Sequence, residues 1–382
     1  MKILKNITVF TMVMLLSVST VLEAREKNIS NFSSSASNLV DSTGTFDGNK
    51  IYADVANNGL FLDYHVSGDS ALEWPKGTGV HSIFQSALWM GATVNGSIRT
   101  IVGDYTQDMG PGPWGGDPLA AVHRIYKVEK SMLASPLDFA DFQEWPVEFG
   151  APWVDVDGDG VYTPLPGGTD HPEFLGDQVL WFVSNDGDPA YKLNFGTSPM
   201  NVEIQTTMFG FDRPDVFGDM VFLKQLVINK GSDDLVDTYM GLWSDPDLGY
   251  AGDDFVGCDV ALGMGYVWND GDDSQYSTLD IGTPAAGYDF FQGPMVPCED
   301  GDSEEVCPTE GAKMFGTRHP GMKNLKMSSF AFYINGDATY TDPSDETEGY
   351  FYLQGLRKDG SAYPAEIAGD LYDQRFCFYG CL

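Results

Sequence analysis

The chain has 382 residues, and 42% of them are hydrophobic and 13% aromatic, enough to bury a sizeable core rather than stay disordered. Lysine and arginine number 21 against 56 aspartates and glutamates, a formal charge of −35. Such a field repels nucleic acids and anionic lipid surfaces, and it favours cations that neutralise clustered carboxylates.

In chain order, the first 24 residues have the layout of a secretory signal. Lys2 and Lys5 make a positive start, residues 7–22 are apolar, and "LEA" ends on the small Ala24. Sixteen residues that include several Ser and Thr fall short of the roughly 20 apolar residues that span a bilayer. No cysteine follows the run, so a lipid anchor is not expected, and the mature chain is expected to begin near Arg25 without membrane insertion after cleavage. Residues 25–45, rich in serine and asparagine, read as a flexible leader.

From residue 46 to 360 short β-type runs alternate with Gly, Pro, Asn and Asp. The stretch 84–102 is two runs about Asn95-Gly96, a strong hairpin signal. Residues 177–186, 202–211, 220–245 (two runs around a polar turn at 230–234), 260–270 and 327–336 continue the series, and 128–145 is the one place where a helix is considered. Strands without interleaved helices predict an all-β chain, an antiparallel β-sandwich with long acidic loops and little helix, of one large region or two packed subdomains divided near 150–200. Residues 361–382 read as an irregular end.

Several acidic turns follow tryptophan-bearing runs. The most regular acidic loop is "PWVDVDGDGVYTP" (152–164). Calcium takes six to eight oxygens at about 2.3–2.6 Å, and alternating Asp155, Asp157 and Asp159 aim carboxylates at one centre. Gly160 permits the sharp turn and the Val161 carbonyl adds an oxygen. The twelfth position of an EF-hand loop would be a bidentate Glu, but here it is Pro166, and no flanking helices are predicted. A structural calcium clip is therefore expected, closed by Asp170 or Glu173, rather than a sensor. A second, weaker candidate for a cation is the loop 244–259, with Asp245, Asp247, Asp253, Asp254 and Asp259. The cluster 269–273 is weaker still and reads as a plain turn.

Five cysteines, Cys258, Cys298, Cys307, Cys377 and Cys381, suit an oxidising compartment. Local pairs Cys298–Cys307 and Cys377–Cys381 with a buried Cys258 thiol are the simplest arrangement, and the spacing does not suit zinc. The histidines His65, His81, His123, His171 and His319 are scattered. There is no Gly-x-Ser-x-Gly elbow and no phosphate loop. A glycosidase needs only two placed carboxylates, so it stays open. Of the tryptophans, Trp74, Trp89, Trp153, Trp181, Trp243 and Trp268 fall in or beside strand-like runs, whereas Trp114 in "GPGPWGGDP" is expected at the surface.

Residues 57–61 "NNGLF", 73–79 "EWPKGTG", 83–92 "IFQSALWMGA", "DVDGDGVYTP", 173–186 "EFLGDQVLWFVSND", 243–259 "WSDPDLGYAGDDFVGCD" and 350–360 "YFYLQGLRKDG" resemble large secreted proteins of Bacteroidetes-like and related marine bacteria. Many of those carry fibronectin-like modules and a C-terminal type IX secretion sorting domain. The resemblance implies a secreted or surface location and a β-rich fold, and no activity. After "AGDLYDQRFCFYGCL" no sorting domain follows, which reads as a fragment, a frameshift or another export route.

The leading expectation is an exported, calcium-stabilised, non-enzymatic surface or matrix protein of structural or adhesive type, its partner a cell-surface polymer or glycan. The alternative, from another class, is a carbohydrate-active enzyme or glycan-binding module that uses a carboxylate pair and exposed aromatics.

Overall fold

The computed structural model describes residues 43–165 and 170–364 together with Ile367 and Phe376. The signal segment, most of the leader, and Cys377 and Cys381 lie outside the described residues. The protein is mainly β with little helix: among the described residues, many short antiparallel strands stand beside two short α-helices, Ala140–Gln143 and Glu346–Leu353, and brief 3-10 turns.

The chain divides into two compact units, one of residues 1–245 and 333–350, the other of 246–332 and 351–382. The chain passes between the units at Asp245/Pro246, Phe332/Tyr333 and Tyr350/Phe351. Gln178–Asn185 pairs along its whole length with Glu203–Gly210 and ties the residues between 150 and 200 into the first unit.

In the first unit, Gln178–Asn185 is central. It pairs with Val202–Gly210 on one side and with Tyr126–Glu129 and Gly110–Pro111 on the other. All eight of its residues are buried, so both faces are covered. On one face of this sheet, Val202 and Ile204 share a core with Leu88, Met90, Ala92, Val94 and Ile101 from the hairpin Gln85–Val94/Ser97–Ile101. The opposite face packs Val179, Trp181 and Val183 against Tyr126, Phe142, Trp145 and Ala151, which come from a strand, a short helix and loops. A further sheet joins Thr43–Phe46, Tyr52–Ala56, Leu72–Glu73 and His81–Ile83.

The expected sandwich is therefore corrected. Among the described residues the strands are distributed over seven small sheets, and the central sheet is covered by a second sheet on one face and by irregular aromatic-rich chain on the other. The cause is visible in residues 220–245. The two runs predicted there are strands, but they do not pair with each other: Phe222–Asn229 joins Val202–Gly210, whereas Val236–Asp245 crosses to Gln85–Val94.

The second unit is built on Asp254–Asp259, Met264–Asn269 and Ala286–Asp289, with two smaller ladders. Leu248, Cys258, Val267 and Tyr276 are buried in it. Cys298 and Cys307 form a disulfide, as the spacing suggested. Burial pushes the Cys258 thiol up to about 12, so it is inert at neutral pH. Residues 327–336 form no strand, contrary to the sequence reading. Phe330 makes an isolated bridge to Phe376, and the Phe332 carbonyl accepts the Tyr363 hydroxyl. Among the described residues, no helix is long and apolar enough to cross a membrane.

Candidate metal centre

The acidic loop leaves and re-enters the fold through a two-residue ladder, Trp153–Val154 against His171–Pro172. Its far side is also anchored. Tyr162 donates from its hydroxyl to the Phe142 carbonyl at 2.6 Å and meets Trp153 edge to face at 5.6 Å. Both rings pack on the aromatic cluster beneath the central strand. The loop tip is thus a polar excursion on an apolar footing.

Between those anchors the aspartates organise the backbone. Asp155 accepts the N–H groups of Gly158 and Gly160, at 2.6 and 2.9 Å. Asp157 accepts from Asp159, and Asp159 from Val161. Gly160 has φ 76°, the left-handed conformation that the turn demands and glycine adopts without penalty. The alternation therefore builds a chain of side-chain turns that holds three carboxylates on one side.

Asp170 supplies the fourth acid. Its side chain is buried and accepts from the Val156 N–H at 2.9 Å and the Thr163 N–H at 2.8 Å, tying both limbs of the loop together. Asp155, Asp157, Asp159 and Asp170 each present an oxygen, all within 4.8 Å of one another. Among the described residues this is the group of acids that comes together as metal ligands would. Hard carboxylate oxygens with no nitrogen or sulfur partner suit a hard divalent cation such as calcium.

Electrostatics agree. The Asp159 N–H lowers the Asp157 carboxyl, but desolvation and the charges of Asp159, Asp170 and Asp155 outweigh it and leave the group above its ordinary value. Mutual repulsion of this kind is what a bound cation relieves.

The other predicted ligands have different surroundings. Glu173 lies 3.7 Å from the Lys224 ammonium and its N–H donates to the Pro152 carbonyl. The Val161 carbonyl accepts from the Thr163 hydroxyl at 3.3 Å. In the loop 244–259, Asp245 accepts the Tyr105 hydroxyl. Asp253 and Asp254 both accept from the Asn269 amide, and Asp254 also from the Leu248 N–H. Burial and the neighbouring acids, chiefly the former, raise Asp254 to about 7. Asp259 accepts from Leu262. Neither these nor Asp247 form a close group of ligand atoms among the described residues.

Sequence reasoning missed the role of Asp273. This residue, read as part of a plain turn, is fully buried and accepts the N–H groups of Gln275, Tyr276 and Tyr250. It is a structural hub, and nothing in the local "NDGDD" pattern separates it from its solvated neighbours.

No protein family matches the chain, and no curated protein or solved structure matches it either.

Proposed function

We propose that the protein is exported and serves as a calcium-stabilised, non-enzymatic structural or adhesive component of a cell surface or matrix. The observation that carries the reading is the convergence of Asp155, Asp157, Asp159 and Asp170 on one point, on a loop anchored at both ends. Calcium there fastens the excursion to the body of the first unit. Extracellular calcium near millimolar fills even a site of about 10⁻⁴ M, and tenfold saturation adds about 1.4 kcal/mol. That magnitude suits a clip rather than a switch.

Export is supported by the signal-like first 24 residues and by the Cys298–Cys307 disulfide, which persists in oxidising compartments. The resemblance of residues 46–360 to large secreted bacterial proteins points the same way. Mass spectrometry of exported material is expected to find Arg25 as the first residue; a chain recovered with Met1 intact argues against export by this signal.

Calorimetric titration of metal-free protein with calcium tests the binding itself. One equivalent is expected to bind at the loop, and Asp155→Ala is expected to abolish that binding. Equal heats from wild type and variant exclude the loop as the site. A second reading, glycan binding, is favoured by a separate feature, the exposed indole of Trp114.

A further inference from the structure

Trp114 is 44% exposed, yet its backbone and its indole are both hydrogen-bonded. Its backbone N–H donates to the buried Glu203 carboxylate at 2.9 Å, and its indole N–H donates to Asn201 Oδ1 at 3.1 Å. The ring edge lies against Gly187, where an added Cβ would meet it at 2.6 Å. An aromatic face in water is normally left mobile or covered. Here the fold spends hydrogen bonds to fix one in place.

Trp114 and Tyr191 are both among the residues that line a pocket of about 300 Å³. The Tyr191 ring is seated on Gly110, where a Cβ would come within 2.9 Å of it. Asn185, also in the lining, ties the tryptophan loop to the turn at Gly187. Its amide donates to the Gly112 and Pro113 carbonyls on the tryptophan loop, and its Oδ1 accepts the Gly187 N–H on the facing turn. Below that turn, buried Asp186 accepts from Met200 and Val202 and lies 3.9 Å from the Lys192 ammonium. Asp188 stands exposed at the rim and uses Oδ1 to cap the following 3-10 turn.

We propose that this pocket binds a neutral saccharide, with a pyranose ring stacked on Trp114 and a hydroxyl donating to Asp188. A pre-positioned aromatic face suits the C–H face of a sugar, since no ordering cost remains to be met on binding. A volume of about 300 Å³ lies at the small end of ligand sites and fits one or two rings. The carboxylate accepts hydroxyls, and the −35 charge disfavours an anionic ligand. A proline-rich peptide also docks on aromatic faces, and titration with such a peptide separates the two occupants.

The test is calorimetric titration of the purified full chain, in calcium, with neutral trisaccharides of gluco, manno and galacto configuration and with a polyproline decapeptide. At least one trisaccharide is expected to bind saturably. Trp114→Ala is expected to weaken it at least about tenfold, and Trp114→Phe to retain most of the affinity. Asp188→Asn, at an exposed position, is expected to weaken it several-fold, and it carries the test should Trp114→Ala fail to fold. Absence of saturable binding by all three sugars, binding indifferent to both Trp114→Ala and Asp188→Asn, or binding of the decapeptide alone overturns the proposal. Sugar binding and calcium binding are read in separate titrations, so this proposal and the calcium reading fail separately.

Discussion

Asp104, Asp108 and Asp186 are buried acids in a protein whose acids are mostly solvated. Lys192 meets part of the cost. Its ammonium, itself buried, donates to Asp108 at 2.8 Å and to the Thr100 carbonyl at 2.5 Å. Even so, desolvation outweighs Lys192 and raises Asp108 to about 6. Asp104 gains hydrogen bonds from Tyr105 and Asn194, but burial dominates and, with Asp342 and Asp108 nearby, raises it to about 7. The ordinary value is 3.8, so between about pH 4 and pH 7 the folded protein holds protons that the unfolded chain has released. Stability contributed by these groups is present at the acid end of that window and is lost as pH rises through it. Asp104→Asn keeps the shape without the charge. It is expected to raise unfolding free energy at pH 8 by about 2–4 kcal/mol and to change it little near pH 4. Denaturant unfolding at both pH values checks this, and an equal effect at the two shows that the carboxyl does not titrate in that range.

Elements differ in how openly the sequence announces them, and the difference is physical. The hairpin at Asn95-Gly96 was legible because its turn chemistry is local: Asn95 has φ 52° and Gly96 φ 82°, as a tight primed turn requires. Gly96→Ala is expected to cost about 1–2 kcal/mol, since an L-residue is strained there, and a thermal melt reads it directly. A loss below the error of the melt means that the turn relaxes. The run 327–336 looks equally strand-like, but its backbone finds no ladder. The Ile334 N–H donates to the Tyr340 carbonyl instead, a partner that no local pattern specifies. The helix Glu346–Leu353 went unread because its apolar residues are crowded tyrosines and a phenylalanine without a clear stripe. Its start was nevertheless written in the sequence. Asp345 caps the helix by accepting the N–H groups of Thr347 and Glu348, and Glu348 accepts the N–H of Ser344, the residue before the cap. The sandwich failed for a related reason: strand runs can be read, but which sheet each joins is decided by packing across distant segments.

At the scale of the whole molecule, the charge of −35 sets the terms. The fold handles its acids in three ways: it leaves most in water, aims several at backbone N–H groups as turn caps, and gathers four at one point. The first two were visible as composition and turn grammar. The third was legible for Asp155, Asp157 and Asp159 because their alternation is local. Asp170 and Glu173 could not be ranked from sequence, because the ladder that brings Asp170 beneath the loop is set by the Trp153–His171 region of the fold. The central claim is that calcium at this group clips the loop to the first unit. The most direct measurement is differential scanning calorimetry of wild type and Asp157→Ala, each with chelator and with calcium at about tenfold saturation. Wild type is expected to melt about 2–5 °C higher with calcium, and Asp157→Ala to melt at one temperature in both. If wild type and variant melt alike in chelator and in calcium, the loop is a solvated turn and the clip does not exist.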